Sequence, residues 1–142
     1  MTSRCHDGAM EVFCSLARQQ LRQRADDAVG LAARDERRIA QVLRHIEDHA
    51  AEQLNLDGLA KIAAMSKYHF LRTFQRIVGV SPYQFLLLVR TRRAAVRLVI
   101  SSETVSTIAF EAGFGDLSSF NKRFRDLFGM TPLAHRRQGT AH

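Results

Sequence analysis

Two clusters of side chains in the second half of the sequence have the types needed to contact a nucleic acid. The first comprises Lys67, Tyr68, Leu71, Arg72, Gln75 and Arg76; the second comprises Ser118, Ser119, Asn121, Lys122, Arg123 and Arg125. Arg72 can donate two hydrogen bonds to guanine, Asn121 can pair with adenine, Lys122 can reach guanine or phosphate, and Leu71 suits a thymine methyl. With Lys67, Tyr68, Ser118 and Ser119 these residues form two candidate base-reading sets. Gln75, Arg76, Arg123 and Arg125 suit phosphates, which hold a protein in register without reading sequence. Asn55 and Thr104 are good N-cap types, and the helix N-termini they open suit phosphate as well.

Other chemistry is poorly supplied. His45 and His49 stand at i, i+4 near Asp48 and Glu52, a spacing able to bind zinc, but no third ligand is linked to them by motif. There is no Walker loop, GxSxG or HExxH, and Gly113-Phe114-Gly115 reads as a turn and not a phosphate cradle. Cys5 and Cys14 have neither CxxC spacing nor a motif-linked histidine, which fits reduced thiols in a cytoplasmic protein. Neither an enzyme nor a cofactor is expected.

Charge narrows the partner. The 142 residues carry a net charge of +7. Residues 1–55 hold eight Lys/Arg against nine Asp/Glu, whereas residues 56–142 hold thirteen against five. The cationic excess therefore lies with the two clusters, as expected where a chain meets a polyanion. No apolar run approaches the roughly 18 residues of a membrane span, and Arg4, Asp7 and Glu11 break any export signal.

The elements that must position these side chains are visible as an internal repeat. At an offset of 49, Asn55, Leu56, Leu59, Ala60 and Ala63 match Thr104, Val105, Ile108, Ala109 and Ala112. Gly115 shifts the offset to 50, after which Phe70, Phe74, Ile77, Gly79, Ser81 and Pro82 match Phe120, Phe124, Leu127, Gly129, Thr131 and Pro132. Apolar positions and punctuation recur while exposed positions differ, as in two copies of one scaffold presenting different surfaces. Each copy reads as helix, tight turn, helix. Ser66 and Asp116 cap the second helices (about 66–78 and 116–128), whose aromatic stripe faces inward, and Gly79 and Gly129 stop them. Ser81-Pro82 with Gln84 opens a further helix to about Ser101, roughly 30 Å long and close to one turn of DNA. Arg90, Arg92, Arg93 and Arg97 on it read as solvated or paired. An amphipathic helix bearing Ile39, Val42, Leu43, Ile46 and Ala50 precedes the repeat. The expected fold is all-α: two helix-turn-helix units joined by a long helix. The expected division is 1–33 as a linker or short helix (Met10, Phe13, Ala17, Leu21 inward), 34–80 as unit one, 81–101 as the joining helix, 102–137 as unit two and 138–142 as a tail.

These residues resemble the AraC/XylS family of bacterial transcription regulators over about residues 36–137. The resemblance is carried by Ser66-Lys67-Tyr68-His69-Phe70-Leu71-Arg72-Thr73-Phe74, Gly79-Val80-Ser81-Pro82, Ala112-Gly113-Phe114 and Phe128-Gly129-Met130-Thr131-Pro132. It implies a fold of about seven helices, promoter binding as an activator, recruitment of RNA polymerase, and base contacts at Tyr68, Leu71, Arg72, Ser118, Ser119, Asn121 and Lys122. Leu71 and His135 depart from the polar and aromatic residues common at their sites. Many members carry a ligand-binding β-barrel, for which residues 1–33 are too short; the chain reads as part of a longer regulator or a stand-alone member. A weak homodimer through the N-terminal segment, or through a missing effector domain, is a further expectation. The alternatives are a non-specific or nucleoid-type nucleic-acid-binding protein, an RNA binder, a metal-dependent sensor and an adaptor for an acidic partner.

Overall fold

The computed structural model describes residues 12–20 and 30–140, apart from the side chains of Leu31 and Thr140. Every regular element among them is an α-helix: α1 (residues 12–20), α2 (Leu31–Asp48), α3 (Leu56–Ile62), α4 (Lys67–Val78), α5 (Pro82–Ile100), α6 (Val105–Glu111), α7 (Leu117–Phe128) and α8 (Pro132–Thr140). The chain divides into two compact units. One contains Glu11–His49 and Gln53–Leu86; the other contains Ala50–Glu52 and the chain from Leu87 onward.

In the first unit α2 packs on α3 and α4. Its Ile39, Val42, Leu43 and Ile46 are buried, as are Leu59 and Ala60 of α3 and Phe70, Phe74 and Ile77 of α4. The Phe70 and Phe74 rings lie 5.7 Å apart, and Phe85 meets Phe74 edge-on at 6.2 Å. Helix α1 belongs to this core. Its Phe13 ring lies 5.4 Å from Phe85, Ala17 is buried, and the Cys14 thiol donates to Glu47 Oε1 at 2.9 Å. Met10 and Leu21, expected on the same face, lie outside the described residues.

The second unit is built on α5, whose Leu87, Ala94, Ala95 and Leu98 bury against Ile108, Ala109, Phe114, Phe120 and Phe124. Polar side chains close its edges. Arg90 is buried, and its guanidinium donates to the carbonyls of Ala50 at 2.6 Å and Glu52 at 2.8 Å. Arg92 is buried too, so of the four arginines read as solvated or paired on α5, two are interior. Arg97 pairs with Glu103 and, at 2.9 Å, with Glu111. The Arg97 guanidinium holds the Glu103 carboxyl below the usual carboxylate range. Arg136 donates to the carbonyls of Leu98 (2.9 Å) and Ser101, satisfying acceptors that the end of α5 leaves open, and to that of Glu103 in the following turn.

The inward stripe expected on α7 departs from the repeat at one point. Ile77 is buried, but its counterpart Leu127 is 38% exposed. The next residue, Phe128, is half-buried against the core instead, its ring 4.6 Å from Phe124 and 5.4 Å from His135. His135 itself is buried, with Nε2 3.2 Å from the Ala95 carbonyl oxygen. At the offset of 50 the counterparts of Phe128 and His135 are Val78 and Phe85, and His135 meets Phe124 edge-on at 5.3 Å as Phe85 meets Phe74.

Candidate nucleic-acid interface

Both short helix-turn-helix turns are held by the same local devices. Asn55 and Thr104 accept from the backbone N–H of Gly58 (2.7 Å) and Thr107 (3.1 Å), starting α3 and α6. At the turns Ala64 adopts φ 55° and Gly113 φ 109°, so the chain reverses through left-handed backbone. Ser66 then accepts from His69 N–H at 3.2 Å and Asp116 from Ser119 N–H at 2.7 Å, starting α4 and α7. Gly79 and Gly129, at φ 94° and 71°, end them. Ser81 and Gln84 then exchange the reciprocal bonds of a capping box, at 3.0 and 3.1 Å, opening α5.

With phenylalanines buried on one side, α4 presents Lys67, Tyr68, Arg72, Gln75 and Arg76 to solvent; Tyr68 is 80% exposed and Leu71 is half-buried at the flank. The side chains are not all free to reach outward. Lys67 Nζ pairs with Asp57 at 3.1 Å, and Gln75 donates its amide to the Gly79 carbonyl at 3.2 Å. An open hollow is lined by His69, Leu71, Arg72, Gln75 and Arg76.

Helix α7 presents Ser118, Ser119, Lys122, Arg123 and Arg125, with Asn121 half-buried at the position equivalent to Leu71. Its own open hollow is lined by Ser118, Asn121, Lys122, Arg125 and Asp126. The Asp116 carboxyl is held below its usual range, first by the Ser119 backbone N–H and second by the Ser119 hydroxyl, which donates to Oδ2 at 2.9 Å. Each predicted set thus lies on one helix of one unit, with Asn55 and Thr104 exposed at the starts of α3 and α6.

Four residues lining these hollows, His69, Thr73, Asp126 and Gly129, are absent from the sequence-based sets, and two of them can carry charge. His69 occupies the position equivalent to Ser119, a match available from the repeat offset of 50, and its Nε2 lies 3.7 Å from Asp35 Oδ2. Asp126 is the counterpart of Arg76, so one helix carries a cation where the other carries an anion. His45 and His49 are 4.4 Å apart ring to ring, and among the described residues no cluster of three or more metal-ligating side chains forms. No described helix is long and apolar enough to cross a membrane.

Known proteins share this arrangement. A family profile described as "Helix-turn-helix domain" matches residues 59–138. The Transposon Tn10 TetD protein of Escherichia coli is 34% identical over 99 residues, covering 70% of this chain and 72% of its own length. AarP of Providencia stuartii, an HTH-type transcriptional activator, is 31% identical over 104 residues, covering 73% of this chain and 77% of its own. Other curated relatives are matched over only about a third of their length, 36% and 34% in two cases. The DNA-binding domain of the global transcriptional factor AdpA, solved in complex with a target DNA, superposes with a TM-score of 0.69 at 31% identity, covering 73% of this chain and 94% of that one. Two solved regulators described as AraC-type or AraC-family superpose with the same TM-score of 0.69 at 25% and 28% identity. With the profile match over more than half of its length, the relatives and the shared fold in agreement, the chain belongs to the AraC-type family of helix-turn-helix, sequence-specific DNA-binding transcription regulators.

Proposed function

We propose that the chain activates transcription by laying α4 and α7 into successive major grooves of a promoter, with α5 as the spacer between them. The observation that carries this reading is that two repeat-equivalent helices each bury a phenylalanine stripe and expose a cationic or polar face, and that the two faces differ. Lys67, Tyr68, Leu71 and Arg72 of α4 and Ser118, Ser119, Asn121 and Lys122 of α7 are the proposed base contacts. Asn55, Gln75, Arg76, Thr104, Arg123 and Arg125 are the proposed phosphate contacts. Activation by contact with RNA polymerase, action in the cytoplasm on nucleoid DNA and weak self-association belong to the same proposal, supported by relatives named as transcriptional activators. No catalytic step is proposed.

Selection of preferred duplexes from a random library tests this directly. The expected product is an asymmetric site with two unlike elements about 34 Å, one helical turn, apart. Recovery of no preferred sequence, with affinity set by salt alone, would favour a non-specific nucleic-acid-binding protein. A perfect palindrome bound by one molecule would contradict the two unlike reading faces.

A further inference from the structure

We infer that Ser119 reads DNA as an acceptor only, and that Asp116 makes it so. The inference rests on the proposal that α7 enters the major groove, and it adds which chemical groups on the bases Ser119 selects. A serine hydroxyl ordinarily offers one donor and two acceptor lone pairs and rotates to suit its partner, so it discriminates bases poorly. Here the rotor is set. The Ser119 hydroxyl lies 2.9 Å from Asp116 Oδ2, while Asp116 Oδ1 accepts the Ser119 backbone N–H at 2.7 Å. Asp116 is exposed, and its carboxyl is held below the usual range, so it carries no proton at neutral pH and can only accept. The hydroxyl hydrogen therefore belongs to Asp116, in a charge-assisted hydrogen bond of the stronger kind. What the exposed Ser119 oxygen has left for a ligand is two lone pairs.

An acceptor in the major groove pairs with an exocyclic amino group, adenine N6 or cytosine N4, and not with guanine O6 or N7 or thymine O4. Every base pair carries one such amino group, so an acceptor-only residue discriminates by strand. It favours adenine or cytosine over guanine or thymine on the strand it faces, and distinguishes adenine from cytosine hardly at all. The other reading helix lacks this device. Its cap is the neutral Ser66, and the residue equivalent to Ser119 is His69, which faces Asp35.

The test uses the full chain and the duplex recovered by selection, with all four bases placed in turn at each position. Ser119→Ala identifies the position Ser119 reads by flattening its base preference. There the unaltered chain should bind adenine and cytosine about three- to tenfold more tightly than guanine and thymine, the contribution of one hydrogen bond, with adenine and cytosine within about twofold of each other. In Asp116→Asn the amide oxygen still caps Ser119 N–H, but the amide nitrogen now donates to Ser119 Oγ and frees the hydroxyl to donate. Asp116→Asn should therefore reduce the amino-over-keto contrast to less than about twofold, or reverse it. Loss of a negative charge will also raise affinity for every duplex, so the ratio between bases is the quantity read. Unchanged preferences at the element read by α4 show that both variants are folded. A guanine or thymine preference in the unaltered chain, an undiminished contrast in Asp116→Asn, or no position that responds to Ser119→Ala would overturn the inference while leaving sequence-specific binding in place. Selection that recovers no preferred sequence would instead remove the underlying reading, and this inference with it.

Discussion

A side chain that reads a base and one that holds a phosphate differ in what their loss does. Arg72→Ala and Asn121→Ala should each cost about 1–3 kcal/mol on the preferred duplex and little on unrelated DNA, while Arg76→Ala and Arg123→Ala should weaken all duplexes alike. Titrations on matched and scrambled duplexes separate the two, and equal losses on both would reject base reading by Arg72 and Asn121. Asp116 has a consequence for stability as well. A carboxylate whose folded titration lies below its unfolded one stabilises the fold above the unfolded value, about 3.9, and that contribution is lost as pH falls through the folded one. The gap in melting temperature between the unaltered chain and Asp116→Asn should thus hold from neutrality to about pH 4 and close below it. The residue types were legible from sequence because donors for base edges form a short menu. Their restraints were not: Asp57 lies ten residues before Lys67 on another helix, and only folding brings the two within 3.1 Å.

At the scale of elements, the two tight turns are the points where backbone conformation leaves least choice. Gly113 sits at φ 109°, and a Cβ there would stand 2.6 Å from Arg90 Nε and 2.9 Å from Cζ. That guanidinium is already fixed on the carbonyls of Ala50 and Glu52. Gly113→Ala should therefore destabilise the second unit by about 2 kcal/mol or more, through left-handed strain and displacement of Arg90. Ala64, at φ 55° in the first unit, poses the reverse case, and Ala64→Gly should stabilise by up to about 1 kcal/mol. Urea melts of the two variants, with opposite signs expected, check the pair. Helix starts were readable from Asn55, Ser66, Thr104 and Asp116 because a cap is a local event between residues three apart. The exposure of Leu127 was not, since its repeat counterpart Ile77 is buried and only the packed structure shows Phe128 turned to the core beside it.

For the whole molecule, charge governs affinity before sequence does. Arg72, Arg76, Lys122, Arg123 and Arg125 are exposed on the two candidate faces. If the three cations among the proposed phosphate contacts, Arg76, Arg123 and Arg125, each neutralise one phosphate, log K should fall against log salt with a slope of about −3. A slope near −1 would mean that one face at most engages DNA. If α5 is the spacer between the two reading helices, as proposed, lengthening the selected site by half a helical turn between its two elements should abolish the advantage of the specific duplex.

The sequence alone determined the helical class, the duplication and the polar faces, because periodicity, caps and a repeat offset are properties of neighbours along the chain. Only the tertiary structure decided which of those polar groups remain available. Arg90 turned inward onto two carbonyls, Lys67 was held by Asp57, and the Ser119 hydroxyl was committed to Asp116. The first two outcomes depend on groups far away in sequence. The third depends on a rotor that a run of letters does not record.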